Sequence, residues 1–254
     1  MDTAPERAKS FGAAAQDYDR YRVGPPAAIV AEVTPAHCEA VLDLGAGTGA
    51  LTRHLVGRFP TVFAVEPDQR MRDVLTGSCP GAVALDGVAE KIPLPDASVD
   101  AVLVSSAWHW MDPALAIPEI ARVLRPGGML GIIWNRRDTT VQWVADLEDF
   151  RRRATDNDDS VGSAIRYYLE EDWLPAGAPL RDIRISALPW HADLTRDELC
   201  GLLATFTGYL LAEPQEQAEI MRRFRDYVHG DARLGTGDTV RVPMLCHYWS
   251  ATLA

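Results

Sequence analysis

Three glycines alternate with small residues in Asp43-Leu44-Gly45-Ala46-Gly47-Thr48-Gly49-Ala50, between an apolar run and a helical pattern. Glycine permits a sharp turn and a close ligand approach, and a helix start offers free backbone N–H groups. Gly45, Gly47 and Ala50 match GxGxxA, a spacing that cradles nucleotide cofactors; a tight turn with no ligand uses the same residues. Glu66 closes the next apolar run, 66 − 49 = 17 residues past Gly49, where a carboxylate can accept both hydroxyls of a ribose.

His109 stands in Trp108-His109-Trp110, just past the apolar run Val99–Val104. A histidine there either packs as a hydrogen-bonded rim residue or serves as a general base, because imidazole titrates near neutrality. Trp108, Trp110, Trp134 and Trp143 gather near the ends of two apolar runs, and Tyr167, Tyr168 and Trp173 follow in the next segment. At least two of these tryptophans are expected in the core. The others, with the tyrosines, would line a site for an aromatic or hydrophobic small molecule. Asp156-Asn157-Asp158-Asp159 lacks the glycine and distant glutamate of a calcium loop, so it reads as a solvated loop and no metal site is expected.

The elements that must position these residues follow from periodicity. Ala40–Leu44, Thr61–Val65, Ala82–Leu85, Val99–Val104 and Met129–Trp134 are β-rich and nearly all apolar, with helical patterns near 49–58, 68–76 and 113–125 between them. Continuous apolar strands belong to a parallel sheet covered on both faces, so the units predict a doubly wound, Rossmann-like α/β sheet with helices on both faces. Residues 1–36 read as helices broken at Gly24-Pro25-Pro26, and RDIRISALPW (181–190) as a strand. Thr195 and Glu198 have capping-box spacing ahead of a helix; a polar helix at about 213–229 and a last strand at Val240–Ser250 follow. The expected organisation is a cofactor-binding core with N-terminal lid helices over 1–135, a helical covering insertion for the substrate over 136–180, and completion of the sheet with C-terminal helices over 181–254.

Composition narrows the function. Of 254 residues 47% are apolar and 24% charged, enough for a full hydrophobic core. The net charge of −11 works against phosphate backbones, so no nucleic-acid partner is expected. The longest uncharged stretch, Leu199 to Ala212, has 14 residues and is too short to span a bilayer. The opening MDTAPERAKS has no apolar core and is no secretory signal. Cys38, Cys79, Cys200 and Cys246 form no CxxC pair and read as reduced thiols. The expectation is a cytoplasmic protein with no membrane partner.

VLDLGAGTGALT (41–52), AVEPDQRM (64–71), GVAEKIPLPDASVDAVLVSSAWHW (87–110) and EIARVLRPGGMLGIIWN (119–135) together resemble the class I S-adenosylmethionine-dependent methyltransferases. The resemblance is greatest to the small-molecule branch of ubiquinone-biosynthesis-type and trans-aconitate-type enzymes, which Phe11-x-x-x-Ala15-x-x-Tyr18-Asp19-x-Tyr21-Arg22 also resembles. It implies a mostly parallel sheet with an antiparallel last strand, S-adenosyl-L-methionine as cofactor, and methyl transfer to a small organic molecule. By the same resemblance Asp43 and the backbone of Gly45, Ala46 and Gly47 would hold the cofactor's amino-acid part. Glu66 would take the ribose, with Pro67 and Met71 flanking the adenine. An acid for the adenine amino group often precedes Ala89-Glu90 in the family. Val88 stands there in this chain, leaving backbone groups near Val88 and Ala89, or Glu90. Ser105 and Ser106 would lie beside the methyl-transfer point. Tyr18, Tyr21 and Arg22 would close as a lid, Tyr18 and Arg22 over the cofactor and Tyr21 over the substrate. A nicotinamide-dependent oxidoreductase fits the glycines and Glu66 but leaves Asp43, which would repel a pyrophosphate, and RPGG (125–128) unexplained. A non-methylating protein of this fold would keep the same cradle.

Overall fold

Seven strands form one sheet in the order β3-β2-β1-β4-β5-β7-β6. They are β1 Ala40–Leu44, β2 Thr61–Val65, β3 Val83–Leu85, β4 Val99–Ser105, β5 Leu124–Arg137, β6 Leu180–Thr195 and β7 Thr239–Leu253. They come from a computed structural model that describes residues 15–154, 174–203 and 205–254. β1 pairs in parallel with β2 and β4, β2 with β3 and β4 with β5, and the last strand is antiparallel. Every residue of β1 is buried, which is why its sequence is apolar without alternation.

The described helices are α1 Ala15–Tyr21, α2 Ile29–Glu32, α3 Thr52–Leu55, α4 Gln69–Ser78, α5 Pro113–Val123, α6 Gln142–Ala154, α7 Arg196–Leu203, α8 Thr207–Leu210 and α9 Pro214–Gly230. Local chemistry explains several starts. Asp68 and Asp112 accept the N–H of Arg70 and Ala114 at the heads of α4 and α5. At the head of α7, Glu198 N–H donates to Thr195 Oγ1 at 3.1 Å while Thr195 N–H donates to Glu198 Oε2 at 2.8 Å, a reciprocal capping box.

Two expected elements differ. The helix expected over 49–58 shrinks to Thr52–Leu55, because Gly45, Gly47 and Gly49 all have positive φ (72°, 56° and 95°) and Val56 is extended. β5 begins earlier than Met129: Val99 pairs with Leu124 and Ala101 with Met129, so five residues on β5 face an advance of two on β4. Arg125-Pro126-Gly127-Gly128 is thus a bulge inside the strand, with Gly127 at φ 77°.

The chain divides into two compact units. The first holds Gly24–Asn135, Val161–Leu188 and Cys246–Ala254, and the second Met1–Val23, Arg136–Ser160 and Pro189–Leu245. The first has its core along β1, β4 and β5, with Leu42, Val102, Ile132, Trp108, Trp134 and Trp249 all buried. The second is centred on Leu147, Leu199, Phe224, Val228 and Val242. Tyr167 and Tyr168, the side chain of Tyr18 and the 156–159 acidic run lie outside the described residues.

Candidate active site

The carboxyl end of β1 delivers Asp43 and then the glycine loop. The N–H groups of Gly45 and Ala46 both donate to the Val65 carbonyl, at 2.8 and 3.0 Å, which pins the loop to the end of β2. Gly45 is required twice over: its φ is positive, and a Cβ would meet the Ala107 Cβ at 2.7 Å. Gly47 differs. A Cβ there would reach nothing nearer than the Met71 Sδ, at 3.9 Å, so among the described residues the space in front of it is open.

Glu66 is 8% exposed and holds the loop from the other side. Its Oε2 accepts the Gly47 N–H at 2.9 Å and its Oε1 the Asp68 N–H at 3.0 Å. A carboxylate offers roughly four lone-pair sites, so each oxygen retains capacity for a further donor. Burial raises the Glu66 carboxyl above its usual range, and the two backbone N–H groups act against that rise. Arg72, which sequence reasoning missed, donates to the Glu66 carbonyl at 2.6 Å and to Asp86 Oδ1 at 2.9 Å, tying the end of β2 to the turn after β3.

Asp43 is 1% exposed. Thr52 Oγ1 donates to its Oδ2 at 2.6 Å, while its Oδ1 is buried with no hydrogen-bond partner among the described residues. Burial pushes its carboxyl up to about 7, helped by repulsion from Glu66 and opposed by the Thr52 hydroxyl. Thr48 Oγ1 is likewise buried without a partner. An unpartnered carboxylate oxygen at the end of β1 suits a cationic donor on a ligand.

Around this pair, Met71 and Ala89 are buried, Pro67 is exposed, and Val88 is 43% exposed. Glu90 Oε1 accepts the Asp112 N–H at 2.8 Å, so its carboxylate already serves the approach to α5. Ser105 ends β4 half-buried; Ser106 has φ 56° and its N–H reaches the Ile133 carbonyl at 2.8 Å. Residues Trp108–Trp110 form a 3-10 turn that splits its side chains. Trp108 is fully buried and Trp134 nearly so, both in the core of the first unit. These two take the packing role, rather than the substrate contact expected of them, among the described residues. His109 stays half-buried and Trp110 is 39% exposed, their ring centroids 4.6 Å apart.

In the second unit, the Tyr21 ring sits against the backbone of Gly201, and the Arg22 guanidinium lies over the Phe206 ring at 4.5 Å. Trp143 packs half-buried on that unit's core. Asp43, Gly45, Ala46, Gly47, Glu66 and Met71 are thus brought together around one loop.

Residues 42–132 match the family model described as a methyltransferase domain. An uncharacterized methyltransferase of Mycobacterium bovis is 40% identical over 245 residues, covering 96% of each chain. An uncharacterized methyltransferase-like protein of Schizosaccharomyces pombe is 33% identical over 216 residues, covering 83% of this chain and 82% of its own. A provisionally assigned Type II methyltransferase from Anaeromyxobacter dehalogenans has a solved structure that matches with TM-score 0.63 at 21% identity, over 91% of this chain and 97% of that one. That last likeness bears on the fold.

Proposed function

The chain belongs to the class I S-adenosylmethionine-dependent methyltransferases, and from that premise we propose that it methylates a small organic molecule, with Asp43 and Glu66 holding the cofactor. When bound, S-adenosylmethionine supplies an electrophilic methyl group on a sulfonium, which an acceptor atom displaces in line. The observation that carries the cradle assignment is the buried Asp43 Oδ1, without a partner among the described residues while Thr52 bonds Oδ2. An α-ammonium would satisfy it and hold the carboxylate charged. A pyrophosphate would repel it, which sets the nicotinamide reading aside.

Glu66, fixed by two backbone donors, would accept the ribose hydroxyls on its remaining lone pairs. Gly47 leaves the backbone accessible, and Pro67 and Met71 would flank the adenine. With Glu90 engaged by Asp112, the adenine edge would fall to the backbone of Val88 and Ala89. Ser105 would position the methionine end, and the lid role of Tyr18 and Arg22 belongs to the same reading. Half-buried His109, beside Trp110, would take a proton from an acceptor hydroxyl or amine. Tyr21, Trp110, Tyr167 and Tyr168 would contact the acceptor, residues 136–180 setting its choice.

A small acceptor, rather than a nucleic acid, accords with the acidic net charge of −11, and a cytoplasmic setting belongs to the same reading. No described helix is long and apolar enough to cross a membrane. The test is turnover of a labelled methyl group against a metabolite extract. Label in a small product supports the reading. Tight cofactor binding with no turnover would identify a non-methylating protein of this fold. For His109, general bases contribute about 10²–10⁴-fold, so His109→Gln should slow single-turnover methyl transfer within that range and flatten its pH profile. A variant as fast as wild type with the same profile would make His109 a rim residue.

A further inference from the structure

Three guanidinium groups converge on one ring in the second unit. The guanidinium carbons of Arg22, Arg137 and Arg151 lie 4.5, 5.3 and 4.1 Å from the centroid of the Phe206 ring. Arg22 follows α1, Arg137 ends β5, Arg151 belongs to α6 and Phe206 precedes α8, so separate chain segments meet here. Glu148 pairs with Arg137 and accepts from Arg151 Nε at 3.1 Å. Burial would raise the Glu148 carboxyl, but the charges of Arg137 and Arg151 outweigh it and hold it down to about 2. Arg22 also donates to the Thr205 carbonyl at 3.5 Å, and Arg22 and Arg151 have further interactions besides these.

Gathering like charges where the Arg151 side chain is 1% exposed and that of Arg137 7% is unfavourable in itself. The Glu148–Arg151 pair within α6 would be enough to brace that helix. A guanidinium presents parallel N–H groups that match a carboxylate or phosphate in two-point contact, and stacking on an aromatic ring fixes its plane. Three such forks around Phe206, which keeps a half-buried face, are the chemistry of oxyanion recognition.

We propose that Arg137 and Arg151, gathered with Arg22 around Phe206, bind an oxyanion, carboxylate or phosphate, within the second unit. The ligand class is a small anion, and the site goes beyond the methyl-transfer reading above.

The protein saturated with S-adenosylhomocysteine is titrated with succinate, inorganic phosphate and neutral succinamide, followed by chemical-shift changes. Succinate or phosphate should bind about tenfold or more tightly than succinamide, as loss of charged hydrogen bonds requires, and added salt should weaken it. Preference for succinate identifies a carboxylate ligand, and preference for phosphate a phosphate ligand. Arg137→Gln should lose most of the anion affinity, and Arg151→Lys, which keeps charge but not the fork, should lose part of it. Succinamide binding as well as both anions, or unchanged anion affinity in a folded Arg137→Gln or Arg151→Lys protein that still binds S-adenosylhomocysteine, overturns the proposal. Failure of the wild type to bind S-adenosylhomocysteine would instead strike the cofactor assignment.

Discussion

A carboxyl group with one oxygen bonded to Thr52 and the other buried without a described partner holds its proton to higher pH than usual. Asp43 has a carboxyl near 7 in the folded chain against an ordinary 3.8. Between those values the native state binds the extra proton, so Asp43's own contribution to the stability of the cofactor-free protein falls as pH rises from about 4 to about 7. An ammonium at Oδ1 reverses the preference, and binding then releases that proton. Affinity for S-adenosylhomocysteine should therefore rise with pH, by up to about tenfold per unit, and level off above about 7. Calorimetry across this range checks it, and Asp43→Asn should bind more weakly with the step removed. A step of equal size in the Asn variant would assign the proton to another group. Glu66 is tested separately. Glu66→Ala should lose about 2–4 kcal/mol of cofactor binding, from ~1.5–3 kcal/mol per charged hydrogen bond with partial replacement by water. Gly47→Val should bind worse still, since its side chain would enter the open space beside Met71. An unchanged dissociation constant in a folded Glu66→Ala protein would remove the ribose role.

At the scale of elements, legibility tracked how local the cause is. The buried runs became β1, β2 and β4 with bounds within a residue, and the Thr195/Glu198 spacing became a real capping box. The stretch 49–58 was misleading because helix-forming residues after Gly49 cannot show that the glycine before them is left-handed. The bulge at 125–128 was hidden because its cause is pairing with β4. Gly201 is a similar case. In an isolated helix, Gly→Ala gains about 1 kcal/mol. Here a Cβ on Gly201 of α7 would meet the Tyr21 ring at 2.3 Å, so Gly201→Ala should destabilise the protein despite its better propensity. Urea unfolding gives the sign, and adding Tyr21→Ala should restore part of the loss. A stabilised single variant would mean that α1 yields its contact freely.

Across the whole molecule, what the sequence made readable is concentrated in the first unit. A glycine loop, an acid at a strand end and their spacing are dictated by backbone geometry within short segments, so Asp43, Gly45, Gly47 and Glu66 announce themselves. The arginines around Phe206 do not, because they come from distant parts of the chain and meet only through tertiary structure. Thr52 and Arg72, which brace the two acids, sit in ordinary helical sequence and carried no signal. If cofactor binding belongs to Asp43, Glu66 and the loop between them and acceptor choice to residues 136–180, the two should be separable by mutation. Tyr167→Ala with Tyr168→Ala should change the acceptor's KM by about tenfold or more, as loss of an aromatic contact requires. It should not move the S-adenosylhomocysteine dissociation constant beyond about twofold, the small end of mutational effects at sites away from a ligand. Hydrogen exchange separates the cofactor and anion sites without an assay: S-adenosylhomocysteine should slow amides in 43–49 and 64–71, whereas succinate should slow those near 137, 151 and 206. A tyrosine variant with normal acceptor KM and weakened cofactor binding would place the tyrosines with Asp43 and Glu66, and the proposed division would fail.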